Sequence, residues 1–120
     1  MSKTILIVED DVELQELYAA MLEGVDCQLI HAYDGDEALA KVEENCPDLI
    51  VLDILLDEVM GDAFFIQIKQ QSMYADIPII IASVLPSESC GKLLSMDPRT
   101  QYLQKPFRKA DLVHLVEYGF

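Results

Sequence analysis

Five side chains that carry an acid, a hydroxyl or an amine follow apolar stretches of this sequence at or near their ends. They are Glu9, Asp10, Asp53, Ser83 and Lys105. Carboxylates that lie close together repel one another unless a cation joins them, and Mg²⁺ prefers carboxylate, carbonyl and water oxygens. If the fold brings these side chains together, they form a site for a hard cation with a lysine beside it.

The stretch around Asp53 organises the rest. Residues 49–52 are Leu, Ile, Val and Leu, with no polar alternation, which is typical of a strand covered on both faces. An aspartate at the end of one strand more often only starts a turn. The neighbouring elements must therefore decide whether Asp53 belongs to a site.

Strand-like and helix-like patterns alternate along the chain. Four further strands are predicted at 5–8, 27–32, 77–83 and 100–104. Apolar residues at helical spacing predict helices between the strands and after the last one. Their expected buried faces are Leu14, Leu17, Tyr18 and Met21; Ala38, Leu39 and Val42; Phe64, Phe65 and Ile68; and Leu112, Val113, Leu115 and Val116, the last in a helix from Lys109 to Tyr118.

Two regions do not follow this alternation clearly. Residues 54–61 are predicted to form a loop with an apolar start. Between Val84 and Arg99, the residues Pro86, Gly91 and Pro98 interrupt any regular pattern, so a helix within residues 87–96 should be short or irregular.

Strands separated by helices predict right-handed βαβ units and an α/β fold with a parallel sheet. All strands of such a sheet point the same way. Because ligands bind at the carboxyl edge of open α/β sheets, the five polar side chains are expected to converge there.

Length and composition set further limits. With 120 residues the chain is predicted to be one domain spanning 1–120, and 52% apolar content argues against disorder. A net charge of −14 argues against direct binding to nucleic acid. Three cysteines without metal-ligand spacing indicate a reducing compartment, and no stretch predicts a membrane span or a signal peptide. We therefore expect a cytoplasmic protein.

The spacing of these residues resembles one known family. The sequence is similar to the CheY-like receiver domain of two-component response regulators, from the run 5–8 with Glu9 and Asp10, through Asp53, to Ser83 and to Lys105 with Pro106 and Phe107. The resemblance implies a flavodoxin-like (βα)5 three-layer sandwich with strand order 2-1-3-4-5.

The resemblance also implies a phosphorylation site. Asp53 would be the phospho-acceptor, taking a phosphoryl group from a histidine kinase or a histidine phosphotransfer protein. The Mg²⁺ ligands would be Asp10 directly, Glu9 largely through water, Asp53 itself and the backbone carbonyl of Leu55. In the family this chemistry is signalling rather than multiple-turnover enzymology.

Further positions match residues that respond to the phosphoryl group. Ser83 would be the switch hydroxyl, and Lys105 would pair with Asp53 and then with the phosphoryl oxygens. Pro106 follows the lysine where the family usually has a cis peptide bond. Tyr102 would be the aromatic switch residue, with simple packing on the sheet edge as the alternative. Asp11 is predicted only to cap the first helix.

The chain departs from the family pattern around the site. Asp57 stands where the family usually has a proline. Val84 stands where the family usually has a smaller residue, and its bulk is expected to narrow the entrance to the site. Leu55 and Leu85 stand at two positions that tune the attack of water on the acyl phosphate. Apolar side chains offer this water no hydrogen bond, so we expect slow autodephosphorylation.

The implied partner surface comprises the fourth helix, the fifth strand and the fifth helix. Its expected residues are Leu93, Leu94, Met96, Tyr102 and Phe107. The identity of the kinase and of the output is not predicted. The sequence leaves open whether the chain is a stand-alone receiver or a domain of a longer regulator or hybrid kinase.

Two other functions remain as alternatives. One is a degenerate receiver that acts only as a protein-binding module, although all five polar residues are present. The other is a Mg²⁺-dependent phosphohydrolase with Asp53 as nucleophile. Such enzymes typically carry an acid or base two residues after the nucleophile, and Leu55 stands there instead.

Overall fold

A computed structural model describes residues 3–54, 59–85 and 91–118 of the chain. Strands and helices alternate throughout this part. The elements are β1 (Lys3–Val8), α1 (Val12–Met21), β2 (Cys27–Ala32), α2 (Gly35–Asn45), β3 (Leu49–Ile54), α3 (Val59–Gln70), β4 (Ile79–Ser83), α4 (Gly91–Met96), β5 (Gln101–Gln104) and α5 (Lys109–Tyr118).

The five strands form one parallel sheet in the order β2-β1-β3-β4-β5. This confirms the predicted flavodoxin-like fold class and its strand order. The central strand β3 pairs with β1 on one side and β4 on the other, with Val51 opposite both Ile7 and Ile80. The carboxyl ends of β1, β3 and β4 therefore lie side by side.

The sheet separates two apolar clusters, because successive side chains of a strand point to opposite faces. Leu6, Val8, Ile50 and Leu52 belong to the cluster that includes α2 and α3 side chains such as Val42 and Phe65. Residues of odd number on the same strands belong to the other cluster, with α1 and α5. They are Ile5, Ile7, Leu49 and Val51. The molecule thus has three layers.

The first helix faces the sheet with a different set of residues than the sequence predicted. Tyr18 and Leu22 are buried together with Gln15, whereas Leu17 is 48% exposed. The prediction that Leu17 is buried was wrong, since a polar residue at the spacing 15, 18, 22 takes that place. Asp11 caps the helix as predicted, accepting from the backbone N–H groups of Glu13 and Leu14 at 2.8 and 3.3 Å.

The second helix agrees with its prediction. Ala38 and Val42 are fully buried, and the Asp34 carboxylate caps the helix by accepting from the backbone N–H of Glu37 at 2.7 Å. The helix ends at Asn45, and its C-cap residue Cys46 has a left-handed backbone (φ 44°) directly before Pro47.

The third helix is joined to the start of β4 by a buried lysine. The Nζ of Lys69 donates to the backbone carbonyls of Ala75 and Ile77 and to Oδ2 of Asp97, at 3.0, 2.9 and 2.8 Å. Because Val59–Gln70 is helical, the loop predicted for residues 54–61 is shorter than expected at both ends.

The fourth helix is short, as predicted, with six residues from Gly91 to Met96. Residues 86–90 of the region predicted to be irregular lie outside the described residues. Leu93 is buried in the cluster around α3, so its assignment to an exposed partner surface was wrong. Phe107 packs on the opposite face, against the α1 and α5 cluster. It is half-buried in the turn before α5, an element of the predicted partner surface, so its assignment to that surface stays a prediction.

The helices of the described residues include none that is both long enough and apolar enough to cross a membrane.

Candidate functional site

Strand alternation places three of the predicted site residues on one face of the sheet. Asp53 continues the series of Leu49 and Val51, and Glu9 continues that of Ile5 and Ile7, both of which face α1 and α5. The same alternation carries from Leu103, in that cluster, to Lys105. Two carboxylates and an ammonium group therefore meet at the carboxyl edge of the sheet beneath α1.

Lys105 contacts both carboxylate oxygens of Asp53. The Nζ atom of Lys105 lies 2.8 Å from Oδ1 and 2.6 Å from Oδ2, and the Asp53 side chain is fully buried. The Lys105 backbone N–H donates to the carbonyl of Ser83 at 2.7 Å, and a cis peptide bond joins Lys105 to Pro106. The expected cis bond and the expected ion pair are both present.

A tyrosine of α1 makes a third contact with the same carboxylate. The Tyr18 hydroxyl donates to Oδ2 of Asp53 at 2.8 Å, and the tyrosine is buried. Burial and the negative charge of Asp53 raise the pKa of the Tyr18 phenol well above its usual range, so that it stays protonated and remains a donor.

Glu9 lies beside this carboxylate in a buried position. Its Oε1 accepts from the backbone N–H of Asp11 at 3.1 Å, whereas Oε2 is buried without a hydrogen-bond partner among the described residues. Burial, and then the charge of Asp53, raises the pKa of the Glu9 carboxyl to about 8. A second negative charge beside Asp53 is thus costly until a cation accompanies it.

The side chain of Gln15 fixes the backbone around Glu9. Its Nε2 donates to the carbonyls of Ile7, Glu9 and Ala32 at 3.0, 3.0 and 2.9 Å. Its Oε1 forms a hydrogen bond with Nδ1 of His31. One buried amide therefore ties the ends of β1 and β2 to α1 and holds Glu9 in place.

The predicted metal ligands are only partly assembled. Asp10 is exposed, but its carboxyl is close enough to Glu9 to raise the pKa of Glu9, and Leu55 lies outside the described residues. Across residues 3–54, 59–85 and 91–118, no three acidic, histidine or cysteine side chains are grouped closely enough to hold a metal ion. The donor set nevertheless fits Mg²⁺, because Glu9 Oε2 is a buried carboxylate oxygen with no hydrogen-bond partner in the part of the chain that the structure describes.

Ser83 and Tyr102 occupy their predicted strands. Ser83 is fully buried at the end of β4, and its hydroxyl oxygen accepts from the backbone N–H of Leu85 at 3.1 Å. Tyr102 is half-buried on β5 and packs against the cluster that includes α3 and α4. Leu85, two residues after Ser83, is half-buried as well.

An apolar cavity of about 360 Å³ opens beside Asp53. Side chains of α1 and of the turn after β5 form most of its wall. Its lining residues are Leu14, Leu17, Tyr18, Met21, Asp53, Val84, Lys105, Pro106 and Phe107. Val84 is 49% exposed and lines this cavity, and its narrowing of the approach to Asp53 stays a prediction.

The family model of the response regulator receiver domain matches residues 5–117 of this chain. The chain belongs to the receiver domain family of response regulators. It is thus a receiver of the kind used in two-component signalling, as its sequence indicated.

Individual relatives agree with this assignment. The receiver is 33% identical over 113 residues to the phosphate regulon transcriptional regulatory protein PhoB of Escherichia coli, covering 94% of this chain and 49% of that protein. It is 29% identical over 116 residues to protein PilG of Pseudomonas aeruginosa, covering 94% and 84%. The receiver thus spans about half the length of the PhoB proteins that it matches.

The fold is shared with solved receivers. The structure of Vibrio cholerae chemotaxis protein CheY4 superimposes with a TM-score of 0.88 over 100% of both chains, at 24% identity. At this identity the likeness supports the fold alone.

Two residues of the receiver site, Tyr18 and Gln15, were not predicted as site residues from the sequence. Tyr18 was assigned only to a buried helix face, and Gln15 was not singled out. The spacing 15, 18, 22 was a usable signal, because a glutamine and a tyrosine on a buried helical face need hydrogen-bond partners. Which partners they find depends on the strand ends that the fold brings below the helix.

Proposed function

We propose that this receiver accepts a phosphoryl group on Asp53, in a Mg²⁺-dependent reaction with a histidine kinase or histidine phosphotransfer protein as donor. One observation carries the proposal. The buried Asp53 carboxylate, at the carboxyl end of the central strand, has a lysine ammonium within 2.8 Å of both oxygens. In this arrangement the Asp53 carboxylate can attack phosphorus, and the Lys105 ammonium can neutralise negative charge on the transferred phosphoryl group.

The reaction is a displacement at phosphorus. A lone pair of an Asp53 oxygen forms the new P–O bond while the P–N bond to the donor histidine breaks, and the electron pair of that bond returns to the imidazole. The acyl phosphate that forms carries its charge on the phosphoryl oxygens. The charge therefore moves away from the carboxylate, and the cations of the site must follow it.

Lys105 and Ser83 are suited to receive that charge. The Lys105 ammonium has three hydrogen-bond donors on a flexible stem, so it can contact phosphoryl oxygens after leaving part of its contact with Asp53. The Ser83 oxygen now accepts a hydrogen bond from Leu85, which leaves its own proton to donate to a phosphoryl oxygen.

Mg²⁺ would be held by Glu9, Asp10 and Asp53, with the backbone carbonyl of Leu55 as the remaining protein ligand. Bound there, it would neutralise charge on the transferring phosphoryl group. The buried oxygen of Glu9 without a partner supports this assignment. Glu9 is held in position for metal binding, because Gln15 Nε2 donates to its backbone carbonyl and the Asp11 backbone N–H donates to its carboxylate.

The signal would be passed on by partner proteins that bind the surface formed by α4, β5 and α5. Of the residues assigned to it, Leu94, Tyr102 and Phe107 are half-buried and Met96 is 41% exposed, so these four remain candidates. The net charge of −14 favours partners with a basic rim. A cytoplasmic location and one receiver unit over 1–120 are part of the same proposal.

The test is phosphorylation by a small donor. We expect incubation with Mg²⁺ and acetyl phosphate to add one phosphoryl group, measured by intact mass, to the wild type. Asp53→Asn should gain none, and EDTA should prevent the gain, because the first lacks the nucleophile and the second removes the cation that the crowded carboxylates require.

The other outcomes separate the alternatives. A folded wild type that never gains a phosphoryl group would indicate a protein-binding module without phosphorylation. Steady consumption of acetyl phosphate without a lasting adduct, lost in Asp53→Asn, would indicate a phosphohydrolase. Either result contradicts the proposal.

The lifetime of the acyl phosphate gives a second prediction. We expect phospho-Asp53 to persist for minutes or longer, because Leu55 and Leu85 offer the attacking water no hydrogen bond. Leu85→Gln should shorten the half-life about tenfold, the effect of one hydrogen bond to that water in the transition state. The half-life is followed by intact mass after removal of the donor.

Met73→Gln is the control for this prediction. Met73 is 78% exposed in the turn before β4, so the same polar group there should leave the half-life unchanged. A wild-type half-life of seconds, or a Leu85→Gln variant that decays no faster than wild type, contradicts the role of the leucines.

A further inference from the structure

The hydrogen bond from Tyr18 to Asp53 is the feature of the site that the proposed reaction does not use. Tyr18 is only 3% exposed, and its hydroxyl oxygen lies 2.8 Å from Asp53 Oδ2. Its ring packs against Phe107 with a centroid separation of 6.1 Å and an interplanar angle of 33°. The phenol is thus held over the carboxylate by the packing of α1 and of the turn after β5.

The donors are unequally shared between the two carboxylate oxygens. Oδ2 accepts a hydrogen bond from Tyr18 and also lies 2.6 Å from the Nζ of Lys105, whereas Oδ1 accepts the hydrogen bond from Lys105. Each carboxylate oxygen has two lone-pair directions. Oδ1 therefore keeps one for phosphorus, and Oδ2 remains under the Tyr18 hydroxyl as the other oxygen of the group.

A hydroxyl donates more strongly to an ionised carboxylate than to a neutral acyl oxygen. Phosphorylation converts the Asp53 carboxylate into a neutral acyl group, and dephosphorylation restores the anion. The Tyr18 hydrogen bond must therefore be weaker in the phosphorylated protein than in the unphosphorylated one.

We propose that Tyr18 is a positioning residue that shortens the life of the phosphorylated receiver by stabilising the Asp53 carboxylate as leaving group. The inference rests on the proposed function. In the hydrolytic step a water oxygen bonds to phosphorus, the P–Oδ1 bond breaks, and its electron pair returns to Asp53. The water loses a proton to solvent, and inorganic phosphate departs.

The Tyr18 hydrogen bond should change the rate of acyl phosphate hydrolysis much more than the rate of phosphorylation. Phosphoryl transfer passes through a loose transition state in which the carboxylate already carries most of its charge. Tyr18 therefore stabilises that transition state relative to the acyl phosphate and speeds hydrolysis. It stabilises the free carboxylate and the transition state about equally, so phosphorylation should depend little on it.

The experiment compares Tyr18→Phe with the wild type, because phenylalanine keeps the ring and removes the hydroxyl. Phosphorylation by acetyl phosphate with Mg²⁺ and decay after donor removal are both followed by intact mass. We expect the half-life of phospho-Asp53 to lengthen about 5- to 30-fold, the difference between a charge-assisted and a neutral hydrogen bond. The phosphorylation rate should stay within about threefold of wild type.

Tyr118→Phe is the matched control, since Tyr118 is 72% exposed on α5 and should change neither rate. Thermal unfolding of each variant shows whether it is folded. Tyr18→Leu provides a second variant without the hydroxyl, and it should lengthen the half-life in the same direction.

Each other outcome has a defined meaning. If the folded wild type gains no phosphoryl group, the proposed function fails and this inference fails with it. If the wild type is phosphorylated but Tyr18→Phe decays at the same rate, only the inference fails. A faster decay would show that the phenol holds the phosphoryl group. A loss confined to the phosphorylation rate would show that Tyr18 only supports the site structurally. Both results overturn the proposal.

Discussion

Replacing Lys105 with methionine is expected to slow phosphorylation of Asp53 by acetyl phosphate at least about 100-fold, the cost of losing a preorganised charge in a transition state. Methionine keeps the length of the side chain and removes the ammonium group that lies within 2.8 Å of both Asp53 oxygens. The measurement is the initial rate of phosphoryl gain by intact mass, with Mg²⁺ present.

The physical reason is the crowding of negative charge. The buried Asp53 carboxylate lies beside Glu9, whose pKa is raised by burial first and then by the charge of Asp53. Without Lys105, incoming phosphoryl oxygens add charge to a site with no fixed protein cation among the contacts described for Asp53. Of the hydrogen bonds to Asp53 described by the structure, the one from the neutral Tyr18 hydroxyl would then remain.

Two further variants sharpen this experiment. Lys109→Met removes an exposed lysine from the start of α5 and should leave the rate unchanged. Lys105→Arg should recover only part of it, because a planar guanidinium cannot replace the compact ammonium in a side chain that is 17% exposed. A Lys105→Met rate within about threefold of wild type would contradict the role of Lys105 in transition-state stabilisation.

Replacing Lys69 with methionine is expected to cost about 3–5 kcal/mol of unfolding free energy, as is usual when one partner of a buried ion pair is removed. The variant leaves the Asp97 carboxylate and the carbonyls of Ala75 and Ile77 without their shared donor. The side chains of Lys69 and Asp97 are 5% and 8% exposed, so water replaces this donor poorly. The melting temperature should fall by about 10–20 °C.

Arg99→Gln is the control for Lys69→Met. Arg99 also contacts Asp97, at 3.2 Å, but its side chain is 57% exposed, so its loss should lower the unfolding free energy much less than the loss of Lys69 does. Chemical denaturation of both variants gives the free energies. Equal losses of unfolding free energy in the two variants would show that burial of the Lys69–Asp97 ion pair does not increase its contribution to stability.

The Lys69 effect should depend on pH in a defined direction. Burial alone would raise the pKa of Asp97, but hydrogen bonds from Arg99 and Lys69 outweigh burial and lower the pKa below its usual range. A lowered folded-state pKa stabilises the fold above the unfolded pKa of about 3.9, and this contribution is lost as the pH falls further. The difference between wild type and Lys69→Met should therefore be largest above about pH 4 and shrink below it.

The sequence alone was sufficient for the fold class and for predicting that Glu9 and Lys105 lie beside Asp53. Uninterrupted apolar runs such as 49–52 predict buried parallel strands, and parallel strands bring their carboxyl ends to one edge. Glu9, Asp53 and Lys105 follow from that rule. Their position depends on strand order, which short crossovers constrain strongly.

The tertiary structure decided which side chains reach those three residues from the neighbouring layer. The apolar pattern of α1 predicted Leu17 as buried, yet Gln15 takes the buried position because it can satisfy three carbonyls at the ends of β1 and β2. A helical pattern specifies a face only to within about one residue, and packing against the sheet selects the rotation.

The Tyr18 contact has the same origin. Its chemistry, a buried phenol that needs an acceptor, can be read from the sequence, but the identity of the acceptor cannot. Asp53 is 35 residues away along the chain and meets the phenol because both lie on the α1 face of the sheet. Local sequence thus determined the elements and their reactive ends, whereas the hydrogen bonds between layers were set by long-range packing, which no short-range pattern encodes.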